Sequence, residues 1–306
     1  MRDFFLKALM NEAKANEDLV FITGDLGFGV FEEFEQKFPK QYLNLGIAEQ
    51  SMTGIAAGLG LDGRPVITYS IGNFPTLRCL EQIRNDAAYH DANLTIVCIG
   101  GGFSYGQLGM SHHATEDIAI MRALPNVQVF VPNTNEEAEI ISRECFASPS
   151  TSYLRLDKSS AKDADSDSAF EFGKLRMFKK GEEVAIICTG SILDEAILAS
   201  NILYERYSIR MGVYGCHSIK PFDENTFIKI SKNYKSILTL EEHNSIGGLG
   251  SLICETIVQN NLKIDNFKRL SIQDEFSSVV GDQNFLRNHY GISSNHVVES
   301  VLEIIK

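Results

Sequence analysis

The chain has 306 residues, 44% of them hydrophobic, enough to bury a sizeable core, and its length favours two domains over one. A formal net charge of -12 without a long basic block argues against a nucleic-acid groove or an anionic membrane surface, and leaves small molecules or other proteins as partners. The six cysteines are widely spaced, with no C-x-x-C pair and no Cys/His grouping of zinc type, and read as buried thiols of a reducing cytoplasm.

Residues 1–10 predict an amphipathic helix rather than an export signal, because Lys7 interrupts the apolar run and acids follow. No apolar run is long enough to span a bilayer. Short runs rich in Val and Ile at 19–23, 65–69, 94–99 and 127–131 predict strands, separated by helices near 48–60, 75–90 and 115–123. A second series predicts strands at 184–189, 209–214, 236–241 and 269–272, with helices near 192–206, 247–260 and 296–305. Such alternation implies two consecutive three-layer α/β domains with mainly parallel sheets. Between the two series, residues 157–168 are polar, small and poor in apolar side chains, and read as an exposed linker.

Ligands of α/β domains usually sit beyond the carboxyl ends of parallel strands, so the loops after the first strands come first. Asp25 follows the first strand in Gly24-Asp25-Leu26-Gly27; alone it is more often a turn residue than a ligand contact. Glu49 enters the next helix in Gly46-Ile47-Ala48-Glu49-Gln50. It has two readings. A first-turn acid meets unpaired N–H groups and the positive end of the helix dipole, worth about 0.3–1 kcal/mol with no ligand involved. Alternatively Gly54 and Gly58, four apart beside Met52, Ile55, Ala56 and Leu59, allow close packing that leaves the carboxylate poorly hydrated and in need of a partner.

The glycines at 100, 102 and 106 miss dinucleotide-loop spacing by one residue. His112 and His113 are adjacent without an H-E-x-x-H helix, so no metal site is expected; each could equally be a loop histidine bonded to nearby backbone. In the second series, Gly190-Ser191 and the 241–250 segment could each receive an anion at a helix start, but ordinary strand–helix turns are commoner and no phosphate is assigned to them.

Four segments in order, 44–50, 111–126 (SHHATEDIAIMRALPN), 219–223 (IKPFD) and 241–250 (EEHNSIGGLG), resemble the C-terminal half of transketolases over nearly the whole chain. The resemblance implies a thiamine-diphosphate-binding pyrimidine domain over 1–157, a linker over 158–172 and a transketolase C-terminal domain over 173–306. Glu49 matches the family glutamate that contacts N1′ of the cofactor's aminopyrimidine and promotes the tautomer that deprotonates the thiazolium C2; the resulting carbanion attacks a ketose carbonyl. Phe74 lies near the family's aromatic ring against the aminopyrimidine, with a core phenylalanine as its plainer reading. Asp25 and Leu26 match residues near the thiazolium, and His112, with His113 beside it, matches a histidine that contacts substrate oxygens. Arg155 and Lys158 lie where relatives place a basic residue for a sugar phosphate, although Lys158 could also be a solvated linker lysine.

Two departures from the family pattern carry expectations. In 107–112 (QLGMSH) no acid stands where many transketolases read an acceptor hydroxyl; neutral Leu108 implies a modified or deoxygenated acceptor, such as a specialised sugar of surface-polysaccharide assembly. The family's G-D-G…N motif for diphosphate and Mg²⁺ is absent, only Gly24-Asp25-Leu26 and Gly281-Asp282-Gln283 being present. A separate subunit carrying the N-terminal section is therefore expected, in an α₂β₂ assembly with the active site at the interface. The rival readings are a 2-oxoacid dehydrogenase E1 β-type subunit, a deoxyxylulose-phosphate-synthase-like enzyme, and a non-catalytic assembly subunit that keeps the fold alone.

Overall fold

A strand whose side chains are apolar on both faces is stable only in a sheet covered on both sides. Leu94–Ile99 and Val184–Thr189 are such runs, and each lies inside its own sheet in the computed structural model, which describes residues 1–305.

The first sheet draws on β1 (Val20–Thr23), β2 (Tyr42–Asn44), β3 (Val66–Ile71), β4 (Leu94–Ile99), β5 (Gln128–Phe130) and β6 (Ser152–Leu156). The intervening helices are α1 (Arg2–Ala15), α2 (Glu32–Lys37), α3 (Glu49–Leu61), a short α4 (Leu80–Gln82) continuing into a π-helical turn over Ile83–Ala88, α5 (Asp117–Ala123) and α6 (Asn135–Ala147). The second half supplies β7 (Arg176–Lys179), β8 (Val184–Thr189), α7 (Leu193–Tyr207), β9 (Met211–Gly215), β10 (Ser218–Lys220), α8 (Glu224–Asn233) and β11 (Ser236–Asn244). It ends with α9 (Leu249–Gln259), β12 (Asn266–Ile272), α10 (Gln283–His289) and α11 (Ser294–Ile304).

The seven-stranded sheet runs β10-β5-β6-β4-β3-β1-β2 and the five-stranded one β12-β11-β8-β9-β7. Both are parallel except for β10 and β7, which pair antiparallel with β5 and β9. The two-sheet α/β architecture is the expected one. Its halves are less separate than the series imply, because β10 belongs by sequence to the second half and by hydrogen bonds to the first sheet.

Segment 158–172 is likewise no free linker. Ser159 and Ser160 bond to Asp194, Asp163 receives Arg176 Nη1 at 2.7 Å, and Ala161 is buried. The glycine pair of α3 also acts differently from expectation: a Cβ on Gly54 or Gly58 would meet nothing within 4 Å, and the close approach is made instead by Gly60 against the Asn93 backbone. Glu49 owes its burial to other neighbours. Because β1, β3 and β4 are adjacent and parallel, their following loops emerge side by side on one edge.

Candidate active site

Four segments meet at that edge, those following β1, β2, β3 and β4. After β1 the chain turns through Gly24 and Asp25, the latter at φ +53°, a conformation that an aspartate tolerates better than most residues. Asn44 Oδ1 accepts from Asp25 N at 2.9 Å and from Gly46 N at 3.1 Å, joining this turn to the one before α3. A Cβ on Gly24 would lie 3.7 Å from Glu49 Cγ, an ordinary packing distance, so the first turn of α3 lies directly against the end of β1. Glu49 is 4% exposed.

Its partner comes from the loop after β3. Arg78 Nη1 donates to both Glu49 carboxylate oxygens at 3.0 Å, and the guanidinium lies 4.7 Å from the centre of the Phe74 ring. The Phe74 ring meets the His112 ring edge-on at 5.3 Å. Glu49, Arg78, Phe74 and His112 therefore form one contiguous surface: a buried carboxylate, a cation stacked on an aromatic ring, and an imidazole. Arg78 was not among the residues singled out from sequence. Phe74 lies in the turn after β3 and Arg78 in the short 3-10 helix over Leu77–Cys79, so the loop's fold rather than a helical repeat stacks the two side chains.

The loop after β4 brings His112. Its two ends pair as an isolated antiparallel bridge, Gly102 with Ala114. His112 is half-buried, with Nδ1 3.1 Å from Ser111 Oγ. His113 points the other way: it is buried, its Nε2 lies 3.1 Å from Gly106 O, and its ring meets Phe103 at 5.1 Å. Its backbone carbonyl accepts from Asn73 Nδ2 at 2.6 Å, fixing this loop to the Phe74 loop. The side chain of His113 thus packs the loop and does not face the surface made by the other four.

Asp25 is exposed near this edge, whereas Leu26 is half-buried against the aromatic cluster of Phe21, Phe31 and Phe34. Arg155 departs furthest from its expected place. It is 0% exposed, ion-paired to Asp117 at 3.2 Å and Asp157 at 3.7 Å, and Nη2 donates to Ala114 O and Glu242 O at 3.1 Å. A sugar phosphate cannot reach a guanidinium enclosed in this way, so the substrate role is replaced by a structural one: neutralising two buried acids at the junction of the halves. Lys158 is exposed, over the Tyr105 ring at 5.8 Å, beside a cleft of about 570 Å³ lined also by Gln107 and Asp282. Among the described residues no group of three His, Cys, Asp or Glu is placed to hold a metal ion, and no helix is long and apolar enough to cross a membrane.

Burial governs the titration of the surrounding acids. It raises Asp157, Glu137 and Glu241 above the ordinary carboxylate range, against the lowering effects of Arg155, of hydrogen bonds from Asn133 and Arg176, and of His243 respectively. Burial likewise pushes His217 down to about 4, with Arg176 acting in the same direction.

Residues 1–163 match the model of the transketolase pyrimidine binding domain, and residues 173–297 that of the transketolase C-terminal domain. The chain belongs to the transketolase family. Its matches run nearly the full length of relatives that are themselves described as single subunits or sections of that enzyme. The putative transketolase C-terminal section of Methanocaldococcus jannaschii is 34% identical, the match covering 100% of this chain and 96% of the relative. An apulose-4-phosphate transketolase subunit of Actinobacillus succinogenes is 31% identical over 99% of this chain and 98% of the relative. A solved structure described as a split gene transketolase, inactive beta4 tetramer, superposes with a TM-score of 0.85 at 31% identity, over 99% of this chain and 96% of that one.

Proposed function

We propose that this chain is the C-terminal subunit of a split, thiamine-diphosphate-dependent transketolase, and that it moves a two-carbon ketol unit from a ketose phosphate to an aldose-type acceptor. The observation that carries the reading is the convergence of Glu49, Arg78, Phe74 and His112 at the carboxyl edge of β1, β3 and β4. The donor set fits the aminopyrimidine half of the cofactor. Glu49 is a nearly dry carboxylate able to share a proton with a ring nitrogen, and Phe74 offers an aromatic face beside it. Asp25, at the neighbouring turn, would contact the thiazolium half of the cofactor. When bound, thiamine diphosphate supplies the nucleophile that takes up the ketol unit.

The chain's own residues then do three things. Glu49, 4% exposed and held by Arg78, is the buried carboxylate placed to hydrogen-bond a ring nitrogen with little competition from solvent. Phe74 restricts the orientation of a ring laid against it. His112 is half-exposed, with Ser111 as the ring's hydrogen-bond partner among the described residues, and can donate to or accept from a sugar oxygen.

Nothing in this donor set suits a diphosphate and Mg²⁺, and we assign those to a partner subunit carrying the N-terminal section, within an α₂β₂ assembly in the cytoplasm. Exposed apolar side chains around the same edge support this: Phe28 at 78%, Ile47 at 77%, Leu108 at 56% and Met110 at 51%. With Ile55, Leu77 and the open stripe of Gly54 and Gly58, they form the kind of surface that a partner covers. Leu108 and Met110 also leave this part of the 102–114 loop without a carboxylate, which favours an acceptor lacking the usual hydroxyl. Lys158, at the rim of its cleft, remains available to a phosphate.

The test mixes the chain with the product of a neighbouring reading frame that encodes G-D-G…N, and adds cofactor, Mg²⁺, a ketose phosphate and a panel of aldoses. Ketol transfer by the mixture, with neither chain active alone, is expected. Full transfer by this chain alone, or decarboxylation of pyruvate in place of transfer, would refute it.

A further inference from the structure

The 102–114 loop is fixed from outside its own domain. At the far end of β11, Glu242 is 2% exposed and projects across the junction of the halves. Its Oε1 accepts from Phe103 N at 2.5 Å and from Gln283 Nε2 at 2.8 Å, and its Oε2 accepts from Arg287 Nε. Arg287 is buried as well, donates to Ser191 Oγ at 2.9 Å, and faces Glu195 at 3.7 Å. Burial disfavours its charge, but Glu242, together with Glu195 and Asp157, more than offsets this and its pKa is raised.

Three further contacts grip the same neck of the loop. Gly102 is at φ +58°, and any Cβ there would sit on the Glu242 carboxylate. Arg155 Nη2 bridges Ala114 O to Glu242 O, and Asn244 N donates to Thr115 O at 2.7 Å. Each strand of the Gly102–Ala114 bridge is thus held by the end of β11. A loop of this length, with glycines at 102, 106 and 109, would otherwise sample many conformations.

We infer that Glu242 is a positioning residue of the second half: its carboxylate, braced by Arg287 and Gln283, clamps the neck of the 102–114 loop and so fixes where His112 stands over Phe74. The kinetic part rests on the proposed function; the clamp itself does not. A merely structural carboxylate would affect the second half as a whole. A positioning one affects the loop, and the substrate contact that the loop carries, without altering the cofactor contacts at Glu49 and Phe74.

The test uses the chain in complex with its partner subunit. Glu242→Gln keeps the shape but removes the charge opposite Arg287. Amides of 102–114 are expected to exchange with solvent about tenfold faster, those of β4 and α9 remaining unchanged, as for loss of one charge-assisted hydrogen bond. The ketose KM should rise about tenfold while half-saturation by cofactor moves less than about twofold. Unchanged loop exchange, loosening spread equally through β11 and α10, or a cofactor effect as large as the ketose effect would overturn the assignment. If that variant fails to fold, Gln283→Ala removes one brace at a partly exposed position: about threefold faster exchange confined to the loop supports the clamp, and unchanged exchange overturns it. Lack of transfer by the unmodified complex would refute the proposed function and leave the exchange result standing.

Discussion

Replacing Arg155 by Met tests most sharply whether the junction of the halves is held by charge. The substitution keeps much of the side-chain volume and removes a guanidinium that is 0% exposed and serves two acids, Asp117 at 3.2 Å and Asp157 at 3.7 Å. Each acid keeps one strong donor, Tyr153 Oη at 2.6 Å for Asp117 and Ser191 N at 3.2 Å for Asp157. Breaking a buried pair from one side costs about 3–5 kcal/mol, because a charge remains uncompensated. Two backbone acceptors, Ala114 O and Glu242 O, lose their donor at the same time. Against a total stability of about 5–15 kcal/mol for a typical domain, this should lower the urea midpoint severely. Adding Asp117→Asn and Asp157→Asn removes the stranded charges and should recover part of the loss. If Arg155→Met instead keeps the wild-type midpoint and raises KM only for phosphorylated ketoses, Arg155 binds substrate after all and the burial argument fails.

Three other outcomes follow from the same geometry. Arg78→Met and Glu49→Gln should be non-additive in urea unfolding, with a coupling of about 1 kcal/mol, reduced from a buried pair because Arg78 is half-exposed; additivity within about 0.3 kcal/mol would deny the ion pair. His217 is buried between Phe170 and Phe172, with Nε2 accepting from Gly173 N. Its pKa of about 4, below the ordinary 6.5, means the unfolded chain takes the proton first: its contribution is complete above pH 6.5 and is lost as pH falls toward 4. At about 1.4 kcal/mol per pH unit the ceiling is ~3 kcal/mol. His217→Gln should flatten the stability profile in that window relative to wild type, a comparison that cancels the opposite-signed contributions of Asp157, Glu137 and Glu241; an identical slope would contradict the assignment. Leu108→Asp should improve turnover of hydroxylated acceptors in the reconstituted complex, and no change in acceptor preference would remove Leu108 from specificity.

The strands most legible in the sequence were those buried on both faces. The runs at 19–23, 94–99 and 184–189 contain little besides apolar and β-branched residues, and their shortness and β-branched content mark them as buried strands. β6 was overlooked because Arg155 interrupts its apolar pattern, and a buried arginine makes sense only once Asp117, distant in sequence, is seen beside it. β10 is three residues long and pairs with the sheet of the other half, so no local pattern announces it. The 158–172 segment reads as a linker because its serines and aspartates are polar; their partners, Asp194 and Arg176, lie beyond it.

At the candidate site, Glu49, Phe74 and His112 were each named from motif position, and the fold brings them onto one surface. The sequence assigns no role to Arg78 or Glu242. Both lie in segments that also read as ordinary helix and strand ends, and their importance comes from contacts across loops rather than from spacing. Arg155 shows the reverse error: a basic residue at a familiar position was given to a ligand when its burial gives it to the protein.

Whether Glu49 is catalytic, and only in company, is decided by ketol transfer by the chain mixed with its N-terminal-section partner, compared between wild type and Glu49→Gln, with cofactor saturating and folding verified by urea unfolding. The expected result is transfer by the wild-type mixture, none by the isolated chain, and a loss of about 10²–10⁴-fold in kcat for Glu49→Gln, the usual worth of a positioned proton-transfer group. An unchanged rate for Glu49→Gln in a folded, reconstituted complex would contradict it.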